Sequence, residues 1–177
     1  MMTALEKEYG DALYSLAQEE NCLDEVLDGL TLAAAVFQEN PDYLSLVQNP
    51  ALPKEERLDL LDKAFSGVHV YVLHLLKLLC ERSALSLTPG ALEQYKALLF
   101  EERGILPVEA VSAVPLTEEQ RKALTDKLSA RTGKTILLEN TIDPSLLGGV
   151  KLRYEGRELD GTAAGRLSAL RRSLIQS

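Results

Sequence analysis

The spacing of apolar residues changes near residue 105, and this change constrains the fold more than any other feature. Before it, apolar residues recur every three or four positions, which is the period of an α-helix. After it, short runs alternate between apolar and polar residues, which is the period of a β-strand. The sequence therefore predicts a two-domain chain, with an N-terminal all-α six-helix bundle (residues 1–105) followed by a small α/β domain (residues 106–177).

The charge changes at the same place. Residues 1–105 contain 8 Lys and Arg against 18 Asp and Glu, a net charge of −10, whereas residues 106–177 contain 11 against 9, a net charge of +2. The overall charge of −8 excludes a nucleic-acid backbone as partner, because binding phosphates requires a basic face. No apolar run reaches the roughly 20 residues that cross a bilayer, and the acidic start is unlike a targeting peptide. We therefore expect a soluble, cytoplasmic protein.

Apolar spacing and capping residues predict six helices in the first part. In the first helix, Leu5, Tyr9, Ala12, Leu13 and Leu16 share one face. The other predicted helices are a second over 23–37, a short one opened by Asn40-Pro41, one starting near Pro53, one over 68–80 that is apolar almost all round, and a last one capped by Thr88-Pro89.

The second part predicts the order strand, helix, strand, strand, strand, helix. Thr117 and Gln120 form a capping box at the start of its first helix, and Gly133 is placed to end that helix. The other predicted elements are a strand over 108–114, a strand with Ile136, Leu138 and Ile142 on one face, a strand over 150–154, a Glu155-Gly156 turn into a return strand ending at Leu159, and a last helix with Leu167, Leu170 and Leu174 inward.

The segment "TGKT", residues 132–135, resembles the end of a phosphate-binding P-loop. That loop needs an earlier glycine where Leu128 stands, and it must lead from a strand into a helix. Here the predicted order is helix, glycine, strand, so a helix C-cap at Gly133 is the better interpretation. A small phosphate-handling enzyme using Lys134, Gly148 and Gly149 stays open as an alternative.

The other candidates for a metal site or a catalytic nucleophile are also weak. His69 and His74 are five residues apart, so on a helix they point in different directions and cannot share a metal ion. Ser145 lacks the flanking glycines of a nucleophile elbow. The sequence therefore predicts no catalytic residues, no metal site and no cofactor.

The segment "DPSLLGGVKLRY", residues 143–154, predicts a structural turn. Asp143 and Pro144 are typical turn starters, because the carboxylate can bond to following amides and proline fixes one backbone dihedral. Gly148 and Gly149 allow the chain to reverse without a Cβ clash before the next strand. We therefore expect these glycines to serve backbone geometry and not ligand binding.

Several of these motifs together resemble the delta subunit of the F-type ATP synthase, the family of the mitochondrial oligomycin-sensitivity-conferring protein. The resemblance rests on "YGDALYSLA", "QNPALPKEERLDLLDKAF", "AVSAVPLTEEQRKAL", "DPSLLGGVKLRY" and "LDGTAAGRLSAL", and it extends from about Leu5 to Leu174. Two positions depart from the family pattern. Gly10 replaces the usual alanine, and "ERSALSL" lacks the glycine often found before the sixth helix.

The resemblance implies a non-catalytic stator component of the rotary proton-translocating ATP synthase. The N-terminal domain would bind N-terminal helices of the alpha subunits, and the C-terminal domain would hold the b subunits of the peripheral stalk. The protein would then lie at the cytoplasmic face of the bacterial plasma membrane, attached only through the complex. A generic helical adaptor is the other alternative left open.

The resemblance also places the alpha-subunit helix in a groove between the first and fifth helices. Apolar residues of the fifth helix exceed what one core face needs, which agrees with this placement. The predicted groove residues are Tyr9, Leu13, Leu16, Leu75, Leu78 and Leu79.

We predict that residues 1–105 fold alone, since glycine, proline and a charge change meet at residues 104–107 and few contacts should cross such a break. The isolated fragment should give a helical circular dichroism spectrum with a cooperative thermal transition, and it should bind an alpha-subunit N-terminal peptide as the full chain does. An unfolded fragment would show that the boundary is wrong.

Overall fold

The computed structural model describes residues 2–146 and 148–162, and these form two compact units. The first unit spans Met1–Leu99 and the second begins at Phe100. The first contains helices only, and the second combines a helix with a sheet. The predicted order of a helical part followed by an α/β part is therefore confirmed. The predicted last helix, with Leu167, Leu170 and Leu174, lies outside the described residues.

The first unit packs its helices around one apolar core. The helices are α1 (Ala4–Glu19), α2 (Leu23–Glu39), α3 (Pro41–Gln48), α4 (Lys54–Ala64), α5 (Val70–Glu81) and α6 (Thr88–Glu102), with a 3₁₀ turn over Leu85–Leu87. Tyr95 of α6 is fully buried at the centre. Its hydroxyl donates to the carbonyl of Leu23 at 2.9 Å, and its ring meets Tyr14 edge-on at 5.5 Å. One side chain thereby connects α6 to the start of α2 and to α1.

Helix α1 buries only part of its predicted apolar face. Thr3 and Glu6 form a capping box at its start, a Thr-x-x-Glu signal that is present in the sequence. The buried residues of α1 are Gly10, Leu13, Tyr14 and Ala17. Of the predicted apolar face only Leu13 is buried, whereas Leu5, Ala12 and Leu16 are exposed and Tyr9 is half-buried.

A glycine in α1 permits a close approach to α6. A Cβ atom on Gly10 would lie 2.6 Å from Cβ of Gln94 and 2.9 Å from the carbonyl oxygen of Ala91. The Gln94 amide also donates to the Asp11 carboxylate at 2.7 Å. The departure from the family pattern at Gly10 is therefore explained by packing between these two helices.

The turn after α5 uses a left-handed residue although it lacks glycine. Ser83 has φ +52°, and the amides of Ser83 and Ala84 donate to the carbonyls of Cys80 and Leu79 in a Schellman motif. Thr88 does not cap α6 as predicted. It is buried inside the helix, its hydroxyl donates to the carbonyl of Leu85, and the 3₁₀ turn leads directly into α6.

Helix α5 begins two residues later than predicted, at Val70. His69 precedes it and caps it, accepting a hydrogen bond from the Tyr71 amide. The predicted helix is apolar almost all round, and in the structure its sides differ in exposure. Val72, Leu75, Leu76, Leu79 and Cys80 face the core, while Val70 and Leu78 are exposed.

Within the described residues, the second unit consists of a four-stranded sheet and one helix that packs against it. The elements are β1 (Ile105–Ser112), α7 (Glu118–Thr132), β2 (Thr135–Ile142), β3 (Val150–Tyr154) and β4 (Arg157–Asp160). The strand order is β2-β1-β3-β4, with β1 parallel to β2 and the other pairs antiparallel. Strand β1 includes residues 105–107, which the sequence pattern had placed in the break between domains.

The predicted caps and turn of this unit are confirmed. Thr117 and Gln120 form the capping box of α7, and Gly133 ends that helix with φ +69°. Glu155 and Gly156 both have positive φ and join β3 to β4 as a two-residue hairpin turn. The strand predicted over 108–114 ends at Ser112, leaving Val114 exposed.

The three apolar residues predicted to share one face of β2 differ in burial. Ile136 and Leu138 are buried against the core of this unit, but Ile142 is exposed at the end of the strand. Asn140 lies between Leu138 and Ile142 in β2. Its side chain donates to the carbonyl of Ala110 at 2.8 Å and accepts from the amide of Leu116 at 2.9 Å. The apolar part of this face therefore ends at a polar side chain that links β2 to the loop before α7.

None of the described helices is long and apolar enough to cross a membrane.

We predict that Gly10→Ala destabilises the protein. In an open helix this substitution stabilises by about 1 kcal/mol, but here the new methyl group must displace backbone of α6, and we expect a loss of about 1–3 kcal/mol in the free energy of unfolding. Urea denaturation measures the change. Gly67→Ala is the control, because no atom lies within 4 Å of a Cβ placed there. A Gly10→Ala variant as stable as the wild type would show that the close approach is not required.

Candidate functional site

The candidate site is an open groove between α1 and α5 with a volume of about 390 Å³. Its wall on α1 is apolar apart from one carboxylate, and its wall on α5 consists of two aromatic rings and two leucines. The lining residues are Glu8, Tyr9, Ala12, Leu13, Leu16, Tyr71, His74, Leu75 and Leu78. No lysine or arginine is among them, so the groove is apolar with a slightly acidic edge.

The floor and the rim of the groove differ in exposure. Leu13 and Leu75 form the floor and are almost fully buried in the core. Leu16 and Leu78 form the rim and remain 38% and 41% exposed. The exposed rim leucines and the leucine floor leave apolar surface in contact with water. An apolar side chain bound in the groove would bury this surface.

Five of the six predicted groove residues are brought together here: Tyr9, Leu13, Leu16, Leu75 and Leu78. The sixth, Leu79, is fully buried in the core and does not line the groove. It follows Leu78 in the helix, and the two residues point about 100° apart, with Leu78 at the groove and Leu79 in the core.

Four lining residues were missed from the sequence: Glu8, Ala12, Tyr71 and His74. Ala12 shares the predicted apolar face of α1 with Leu13 and Leu16. Tyr71 lies four residues before Leu75 in α5, and His74 lies four residues before Leu78, so helical spacing could have identified them. At one end of the groove, the Arg82 guanidinium donates to the Tyr9 hydroxyl oxygen at 3.2 Å.

The described residues of the turn after β2, 143–146 and 148–149, form local hydrogen bonds and include two left-handed glycines. The amide and the hydroxyl of Ser145 both donate to one carboxylate oxygen of Asp143, at 3.0 and 2.6 Å. These bonds, with the hydroxyl contributing most, lower the pKa of Asp143 below its usual value. Pro144 lies between the two residues, within the turn that follows β2.

The two glycines have different surroundings. Gly148 has φ +89° and open space where a Cβ would be. Gly149 has φ +86°, and a Cβ there would lie 2.6 Å from both the carbonyl oxygen of Gly161 and Cα of Thr162. The chain after β4 therefore passes directly against Gly149, and the Gly161 amide donates to the Val150 carbonyl at 3.0 Å.

The "TGKT" segment has no phosphate-binding geometry. Gly133 is the left-handed C-cap of α7, and Lys134 forms an ion pair with Glu155 of the hairpin turn at 2.8 Å. The hydrogen bond from Lys134 lowers the pKa of Glu155 below its usual value. The lysine side chain is thus held by the β3–β4 turn, away from the two glycines of the other turn. Over residues 2–146 and 148–162, no three His, Cys, Asp or Glu side chains are grouped to hold a metal ion.

Known proteins resemble this chain over nearly its whole length. A family model described as the ATP synthase delta (OSCP) subunit matches residues 5–174. The ATP synthase subunit delta of Geobacillus sp. is 40% identical over 170 residues, covering 96% of both chains. That of Anaeromyxobacter dehalogenans is 32% identical over 178 residues, covering 99% of both. A chain of the Toxoplasma gondii mitochondrial ATP synthase hexamer has the same fold, with a TM-score of 0.74, 24% identity and 98% coverage of both chains.

We predict that Gly149→Ala destabilises the second unit more than Gly148→Ala does. Both substitutions place a side chain at positive φ, which costs on the order of 1–3 kcal/mol, but only the methyl group at residue 149 also meets backbone. Thermal unfolding should show a difference of about 1 kcal/mol or more between the variants. Equal losses would show that the dihedral alone requires glycine.

Millimolar ATP or phosphate should not raise the melting temperature of the wild type, and a rise of several degrees would reopen the phosphate-handling alternative.

Proposed function

The chain belongs to the ATP synthase delta (OSCP) subunit family, and on that premise we propose that its groove between α1 and α5 holds an amphipathic N-terminal helix of the alpha subunit. A delta-type subunit is an accessory, non-catalytic stator component of the peripheral stalk in the F-type ATP synthase. Its task is mechanical, because it must hold the catalytic head against the torque of the rotor. Such a task requires stable interfaces and no reacting groups.

The observation that carries this proposal is the exposed apolar rim of the groove. Leu16 and Leu78 stand at the surface on opposite walls, with Leu13 and Leu75 between them as a floor. A helix that presents apolar side chains at positions i, i+3, i+4 and i+7 can bury this surface along its length. The walls belong to two helices anchored in the same core, so the groove is already formed before a partner binds.

We propose that the second unit holds the b subunits of the peripheral stalk. Family membership supports this assignment, and so does the charge difference between the two parts of the chain, which gives them separate electrostatic surfaces. The protein would then attach to the cytoplasmic face of the plasma membrane only through its neighbours in the complex. Each unit would carry one of the two contacts that join the head to the stalk.

We predict that Leu78→Asp weakens binding of an alpha-subunit N-terminal peptide more than tenfold. The substitution removes an apolar contact worth about 1.5–3 kcal/mol and places a charge in the groove. Because Leu78 is 41% exposed, the fold should tolerate the aspartate, and circular dichroism should be unchanged. Isothermal titration calorimetry on the full chain measures the affinity.

Leu46→Asp is the matched control, since Leu46 is 44% exposed on α3 and does not line the groove. This variant should bind the peptide as the wild type does. Normal binding by Leu78→Asp, or an equal loss in both variants, would contradict the placement of the helix in this groove.

A further inference from the structure

One basic side chain of the first unit is directed at the wall of the groove. Arg82 is the C-cap of α5, four residues after the groove residue Leu78. Its guanidinium donates to the hydroxyl oxygen of Tyr9 at 3.2 Å, and Tyr9 lines the groove from α1. This hydrogen bond therefore connects the end of one helix of the groove to a lining residue of the other helix.

The contact with Tyr9 is specific to Arg82 and not a by-product of ion pairing. Glu81, which precedes Arg82, is paired with Lys54 at 2.9 Å, and Glu8, which precedes Tyr9, lines the groove. Within the described part of the chain, the Arg82 guanidinium forms no ion pair, and its bond to Tyr9 is its only hydrogen bond. A basic residue at a helix C-terminus is favourable without any specific partner. The position at the end of α5 alone therefore does not explain why the side chain is directed at Tyr9.

The hydrogen bond restricts the Tyr9 side chain at the surface of α1. This side chain is half-buried, packs against the bundle core and also lines the groove. A tyrosine at a helix surface can adopt more than one rotamer, and a docked helix would have to order it at a cost in side-chain entropy. Because Arg82 binds its hydroxyl, the Tyr9 ring holds its place in the wall before a partner arrives.

We propose that Arg82 is a positioning residue of the groove, which acts on the docked alpha-subunit helix through Tyr9 and not by direct contact. The inference rests on the proposed binding of that helix and adds a residue that does not itself line the groove. Tyr9 then supplies an ordered aromatic contact, and ordered aromatic side chains contribute strongly to interfaces. Loss of the guanidinium and loss of the hydroxyl should therefore weaken binding by about the same factor.

A double-mutant cycle on the full chain tests this inference. The ligand is a peptide that covers the N-terminal helix of the alpha subunit from the same organism. Isothermal titration calorimetry measures its affinity for the wild type, Tyr9→Phe, Arg82→Met and the double variant. Tyr9→Phe keeps the ring and the net charge, and Arg82→Met keeps an unbranched apolar stem. We expect each single variant to bind about three- to fivefold more weakly, as for the loss of one hydrogen bond, and the double variant to bind no more weakly than Arg82→Met.

Three controls separate this role from effects of charge and folding. Lys63→Met removes a positive charge from α4, outside the groove lining, and should bind the peptide as the wild type does. Arg82→Lys should recover most of the lost affinity, because an ammonium group can still donate to the hydroxyl. The losses in Tyr9→Phe and Arg82→Met should persist at about 0.5 M salt, where attraction between Arg82 and a distant charge on the peptide is screened. Urea denaturation establishes that each variant is folded under the conditions of the titration.

The outcomes distinguish this inference from the proposed function. If the losses of the two single variants multiply in the double variant, or if Tyr9→Phe binds as the wild type does, Arg82 does not act through the Tyr9 hydroxyl. The inference is then wrong although the groove still binds a helix. If the wild type binds no peptide, the proposed function itself fails, and the inference fails with it.

Discussion

The packing of one face of α1 into the bundle determines where the groove lies. Gly10, Leu13, Tyr14 and Ala17 are buried, and the close approach of α6 at Gly10 leaves no room for the helix to rotate about its axis. The neighbouring face, with Leu16, must therefore point away from the core. It lies beside an equally exposed part of α5, and together they form an apolar groove without any local distortion of either helix.

A stator subunit needs this kind of preformed surface. Its partners must stay bound while torque is applied, and an interface formed by rigid helices loses little conformational entropy on binding. Close contacts also hold neighbouring segments of the second unit together. Gly149 lets the chain after β4 pass against the turn that enters β3, and Lys134 holds the β3–β4 hairpin through Glu155. Gly149 and Lys134 therefore have structural roles in this unit, and they are not arranged as a catalytic site.

Features that depend on neighbouring residues were predictable from the sequence, and features that depend on distant contacts were not. The capping box at Thr117, the left-handed cap at Gly133 and the hairpin turn at Glu155 follow from short-range geometry, and all three are present. The helical period also identified the apolar positions of α1 and α5. Which of them are buried was decided only by tertiary packing, because apolar spacing shows that residues share a face but not what covers that face. Leu79 is thus core and Leu78 is groove rim, although the sequence treats them alike.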